Sequence, residues 1–187
     1  MKNSRTGSDR ERFVQKYEEM HRWVREAHGG MVLYIGAENW PFPIPLVSRN
    51  GVWRFDSDAG IREILYRRIG ENEVTAIGLC QTLVAPNHPG AADATDRITA
   101  AVIAAARSGN KPVAFHGYYF HRLAGSGNRF AAIAYPAKYR SSGVMTFIVD
   151  PDGGAYEKDL GPSTGKVAGT MTGYRMDGTW TPAEARP

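Results

Sequence analysis

The chain has one cysteine, Cys80, among 187 residues, so no intrachain disulfide can form. Cys80 falls in an apolar helical stretch with Ile77 and Val84 and reads as a buried structural thiol, since no base stands at a spacing that would activate it. Lack of disulfides leaves the compartment open. No apolar run approaches the roughly 18 residues of a membrane-spanning helix. Residues 1–12 are polar and lack a signal-peptide core, so the chain as written is expected to stay in the cytoplasm or to be a mature or truncated form of something longer. Charge of one sign is also scarce in excess: 23 Lys and Arg oppose 19 Asp and Glu, for a net charge of +4. The basic residues are scattered, where a nucleic-acid binder concentrates them on one stripe, so nucleic acid is not an expected partner. No internal repeat or low-complexity tract is present.

Apolar residues at 42% suffice for a core, and the length suits one domain or two small ones. Ser8 and Glu11 resemble a capping box. Phe13, Tyr17, Met20, Val24 and Ala27 recur at helical steps, which predicts a first helix running to Gly29-Gly30, with Trp23 widening its stripe. Residues 31–35 read as a strand. In residues 40–46, Pro41, Pro43 and Pro45 alternate with Phe42, Ile44 and Leu46; prolines cannot donate to a ladder, so this is expected to be an edge segment sealing the core rather than a ligand for a proline-binding module. Asn50-Gly51 predicts a two-residue type I′ hairpin turn joining that segment to residues 52–55. Asp56 or Asp58 caps a helix interrupted at Gly70, and a second helical run starts near Asn72.

Residues 86–90 form a proline-glycine break and the expected internal boundary, between a 1–85 subdomain and a 91–187 subdomain. Residues 93–107 form an alanine-rich helix with Ile98, Val102 and Ala105 on one side. Four antiparallel strands are expected across residues 116–161, with a tight turn at 150–154, then a short helix around 164–171 and Trp180 in an irregular tail. The fold class is therefore α+β: an N-terminal helix with a small antiparallel sheet, middle helices, and a four-stranded antiparallel sheet packed on a helix.

Sites of familiar chemistry fail on spacing. Residues 161–166 look like a phosphate loop, but three residues separate the glycines where four are needed, and Val167 stands where Ser or Thr should bind magnesium. Asp150 and Asp152 suggest a calcium loop that lacks its further oxygen ligands. His116 and His121, five apart on one predicted strand, point to opposite faces. His21 and His28 are seven apart, not four. No nucleophile elbow is present. No metal and no cofactor are expected, and no catalytic residues emerge.

Several ordered segments resemble the bacterial family known as domain of unknown function 2950: residues 40–46, 53–56, 67–70 with Asn72-Glu73, 116–120, 134–136, 142–147, and Asp152-Gly153 with Tyr156 to Gly161. The family supplies no activity to carry over. The resemblance implies an exported envelope protein, periplasmic or secreted, although the expected signal peptide and leading helical segment are missing here and residues 81–110 depart from the family pattern. Residues 31–56 are also similar to the strands of cystatin-like domains, and the second half to the globular part of type II secretion pseudopilins, without the apolar helix by which pilins polymerise. These readings favour a non-catalytic envelope protein that binds or assembles with a protein partner. The alternative is a small-ligand carrier or enzyme with a pocket in the cystatin-like half. Aromatics expected to be in part exposed are Trp40, Tyr118, Tyr139, Tyr156 and Trp180, at least half of them core. The binding candidates are Trp40, His116, Tyr118 and Tyr156.

Overall fold

A computed structural model describes residues 4–27, 29–85, 97–108, 111–125 and 129–183. The fold is α+β, with antiparallel sheets of five and six strands. The chain forms two compact units, Met1–Tyr66 and Arg67–Pro187. The expected boundary at residues 86–90 lies outside the described residues.

The first unit opens with α1 (Ser4–Glu19). This helix stops ten residues short of the predicted end, because residues 21–25 form a strand, β1 (His21–Arg25), instead of a further helical turn. Trp23 and Val24 favour extended backbone, and β2 (Met31–Ile35) is close enough in sequence to pair with them, Trp23 opposite Leu33 and His21 opposite Ile35. A helical apolar period thus lost to a hairpin. β3 (Trp40–Pro41) pairs with β2, and Phe42 N–H donates to Leu33 O at 2.7 Å. β4 (Leu46–Arg49) follows and also touches β2, Met31 opposite Leu46. The proline segment therefore pairs with β2 only towards its two ends and bends at residues 43–44 between them, where Pro43 and Pro45 have no N–H to give a ladder.

β4 and β5 (Val52–Phe55) form the predicted hairpin. Asn50 and Gly51 both have positive φ, 54° and 76°, as a type I′ turn demands. A Cβ at Gly51 would meet nothing within 4 Å, so its requirement is conformational alone. Gly51→Ala is expected to cost about 1–2 kcal/mol, read from the urea midpoint; an unchanged midpoint would show that the hairpin contributes nothing to the folded unit.

Asp56 caps α2 (Ser57–Val84), accepting the Ala59 N–H at 3.0 Å. The helix runs through Gly70 without a break, contrary to expectation. Glycine in a helix interior costs only about 1 kcal/mol, and residues of α2 on either side are buried, so packing outweighs that cost. The boundary between the units falls within this helix, after Tyr66.

In the second unit the sheet order is β11-β10-β9-β8-β7-β6, from β6 (Val113–Phe115), β7 (Tyr118–Ala124), β8 (Phe130–Pro136), β9 (Thr146–Val149), β10 (Ala155–Lys158) and β11 (Thr181–Pro182). Six strands replace the expected four. The predicted strand carrying both His116 and His121 is a hairpin, because His116 and Gly117, with φ of 42° and 74°, make a second tight turn. Its sequence lacks the usual Asn-Gly or Asp-Gly signature. β11 adds an edge where an irregular tail was expected, and it carries Trp180 into the core.

One face of this sheet, with Tyr118, Phe120, Ala132, Ala134, Phe147 and Val149, packs on Ala76, Leu79, Cys80 and Leu83 of α2 and on α3 (Arg97–Ser108). α3 turns Thr99, Ile103 and Ala106 inward with Val102 beside them, while Ile98 is exposed, a rotation from the predicted stripe. The predicted start at Asp93 lies outside the described residues. The other face, with Leu123, Ala131, Ile133, Tyr135 and Ile148, is covered by α4 (Thr164–Gly169), Trp180 and the segment between them. Each large side chain so buried contributes roughly 1.5–3 kcal/mol.

Candidate functional site

In the second unit, the buried Glu73 carboxylate and the buried Cys80 thiol sit within the packed interior. Glu73 is buried, and its Oε1 accepts the N–H of Val144 at 3.0 Å and of Met145 at 3.1 Å. The Tyr118 hydroxyl lies 3.4 Å from the same oxygen and 3.0 Å from Met145 O. Asn72 and Arg68 donate to the carbonyls of Ser142 and Ser141, so α2 holds residues 141–145 at several points. Burial pushes the Cys80 thiol well above its ordinary pKa. It is expected to resist a disulfide reagent in the native state and to react fully once the chain is unfolded; rapid native labelling would show the thiol to be accessible.

The loop after β9 is a structural turn. Asp150 Oδ1 accepts the N–H groups of Asp152 at 2.8 Å and Gly154 at 2.9 Å, and the Asp152 carboxylate pairs with Arg129. Lys166 of the phosphate-loop lookalike lies on α4, a helix of six residues. Among the described residues no three His, Cys, Asp or Glu side chains group closely enough to hold a metal ion.

The four binding candidates do not form one site. Tyr118 is fully buried on the helix-covered face, because the alternation of β7 turns it inward with Phe120; it presents nothing to a ligand, which corrects the expected exposure. Tyr156 is half-buried and packs with Trp180 on the opposite face. His116 is exposed on its turn, not on a strand, with its ring edge-on to Phe115. Trp180 is buried, and the half-buried Tyr139 donates to Asp159 Oδ2 at 3.0 Å.

Trp40 belongs to a larger feature, in the first unit. Its ring stands edge-on to Phe42 at 6.3 Å; Phe42 in turn meets Phe13 of α1 at 5.4 Å and Phe55 of β5 at 6.4 Å. Phe13, Ile35, Trp40 and Phe42 line a groove of about 380 Å³ rimmed by Asp9, Arg12, Lys16 and Glu38, with Lys16 paired to Glu38. Phe55 is 56% exposed, Trp53 on the same face of the hairpin 43% and Trp40 40%. Phe13 and Phe42 each sit on an apolar face that periodicity predicts, and Phe55 on a predicted hairpin strand. The assembly was missed because its members belong to a helix, a proline segment and a hairpin.

In the second unit, His121, Leu123, Gly169 and Met171 line a wider cleft of about 620 Å³ together with Arg122 and Arg129. His121 is buried; its Nε2 donates to Met171 O at 2.9 Å, and among the described residues its Nδ1 has no partner.

These features describe a two-unit α+β protein with an aromatic surface on its first unit. The chain belongs to the family described as Protein of unknown function (DUF2950), which matches residues 2–96 and 127–183. The unmatched interval holds α3, β6 and β7, including residues 116–120 of the resemblance. No curated protein and no solved structure matches the chain. Among the described residues, no helix is long and apolar enough to cross a membrane.

Proposed function

We propose that this chain is a non-catalytic binding or assembly protein of the bacterial envelope, engaging a protein partner through the aromatic surface of its first unit. The observation that carries the reading is the continuity of Trp40, Phe42 and Phe55 with the exposed face of the β4–β5 hairpin. Exposed aromatics cost solubility, and connected patches of them mark interaction surfaces more often than isolated ones do. Acidic and basic residues interleave around the groove, which suits a protein partner better than a polyanion. Envelope placement follows from the family resemblance.

Incorporating a photo-crosslinking phenylalanine analogue at Trp40 in living bacterial cells tests it. A discrete adduct is expected that is lost on Phe55→Asp and unaffected by Ile98→Asp. Adducts at position 40 no different from those of the same analogue at Ile98 would sink the reading. A small-ligand carrier is the second reading, favoured by the groove beside Trp40; it predicts displacement of a solvatochromic apolar dye by extracted metabolites.

A further inference from the structure

The hairpin of the first unit ends its sheet in an uncovered strand. The order β1-β2-β4-β5 leaves the outer edge of β5 without a strand partner among the described residues. All four residues of β5 are exposed, Val52 most of all at 67%. Native proteins guard such edges with short strands, charges or proline. The other edges follow that practice: β11 has two residues and ends on Pro182, β6 has three, and β1 carries His21, Arg22 and Arg25. β5 has three apolar residues of four and a single charge.

The register says what would fit there. Leu46 stands opposite Phe55 and Ser48 opposite Trp53, so one face of the hairpin carries the aromatic cluster. Val47 stands opposite Arg54 and Arg49 opposite Val52, so the other face carries two guanidinium groups. No ion pair of Arg49 or Arg54 is found among the described residues. Both line a shallow cleft of about 280 Å³ with Asp56 and Asp58, and the Asp56 carboxylate is engaged at the start of α2. In a two-residue hairpin, Val52 and Arg54 direct their backbone groups to β4, which leaves those of Trp53 and Phe55 pointing outward.

We infer that β5 is a strand-addition site for an extended segment of a partner protein in which apolar and acidic residues alternate. The segment's outward amides and carbonyls pair with those of Trp53 and Phe55, its apolar side chains lie against the aromatic face, and its carboxylates meet Arg49 and Arg54. The inference rests on the binding reading above and specifies the partner's chemistry.

The probe is an N-acetylated, C-amidated octapeptide of alternating valine and aspartate, titrated into the full chain and followed by amide NMR. Hydrogen exchange at the Trp53 and Phe55 amides is expected to slow on the order of tenfold at saturation. The alternating valine–lysine peptide, and a peptide with valines and aspartates in blocks, should leave those amides unchanged. Arg49→Glu with Arg54→Glu is expected to weaken binding roughly tenfold, and Trp53→Pro, which deletes one outward donor while sparing the ladder to β4, to abolish the protection. Equal binding of the lysine peptide, or no protection with any peptide, overturns the inference. Protection that rises with protein concentration and no peptide gives the edge to a second copy and overturns it as well. The crosslink at Trp40 reads separately: its persistence with no protection at β5 leaves a binding protein whose partner docks elsewhere, and its loss removes the binding reading itself.

Discussion

Replacing Glu73 by alanine is expected to destabilise the second unit by roughly 3–5 kcal/mol. The carboxylate is 2% exposed and sits under the turn that leads into β9. Its Oε1 takes the two successive N–H groups of Val144 and Met145, separated from it by 71 and 72 positions in the chain. Alanine would leave both donors without that acceptor, at about 1–3 kcal/mol each, and would open a cavity beside Tyr118. Glu73→Gln keeps an acceptor oxygen in place and should cost on the order of 1 kcal/mol. Urea unfolding followed by Trp180 fluorescence, in a chain whose other three tryptophans are phenylalanine, reads the second unit alone. Equal midpoints for the parent and Glu73→Ala would show that the turn is held by its other contacts.

Gly143→Ala is the second large loss, about 3 kcal/mol and a fall in melting temperature of roughly 6–12 °C. The added methyl would lie far inside van der Waals contact distance of the Tyr118 hydroxyl and ring. Tyr118 has nowhere to go: it is fully buried, its hydroxyl reaches Met145 O, and its ring packs on Phe147 with centroids 6.0 Å apart. Shortening the obstacle with Tyr118→Leu should make the same glycine substitution markedly cheaper, since neighbours in one packing problem are not additive. Equal losses in both backgrounds would place the cost in the backbone instead. Glu73, Gly143 and Tyr118 thus form one clasp between α2, β7 and the approach to β9.

Several features were legible because their causes are local. Asn50-Gly51 needs only its own two residues to choose a type I′ turn, Asp56 only the three that follow it to cap α2, and Asp150 only its own loop to close the turn before β10. Residues 21–25 show the opposite case. Their apolar period fits a helix, and the choice of strand belongs to their pairing with Met31–Ile35. Gly70 looks like a helix stop until the burial of its neighbours is known.

The candidate surface divides in the same way. Local pattern is enough for the α+β class, for the β4–β5 hairpin and for the alternation that places Trp53 with Phe55 and Val52 with Arg54. Tertiary structure alone decided that Tyr118 is interior, that Phe13, Phe42 and Phe55 converge beside Trp40, and that β5 ends its sheet. Periodicity reports which residues share a face within one element. Whether that face is covered depends on elements far away in the chain, and those contacts form only once the whole unit has folded.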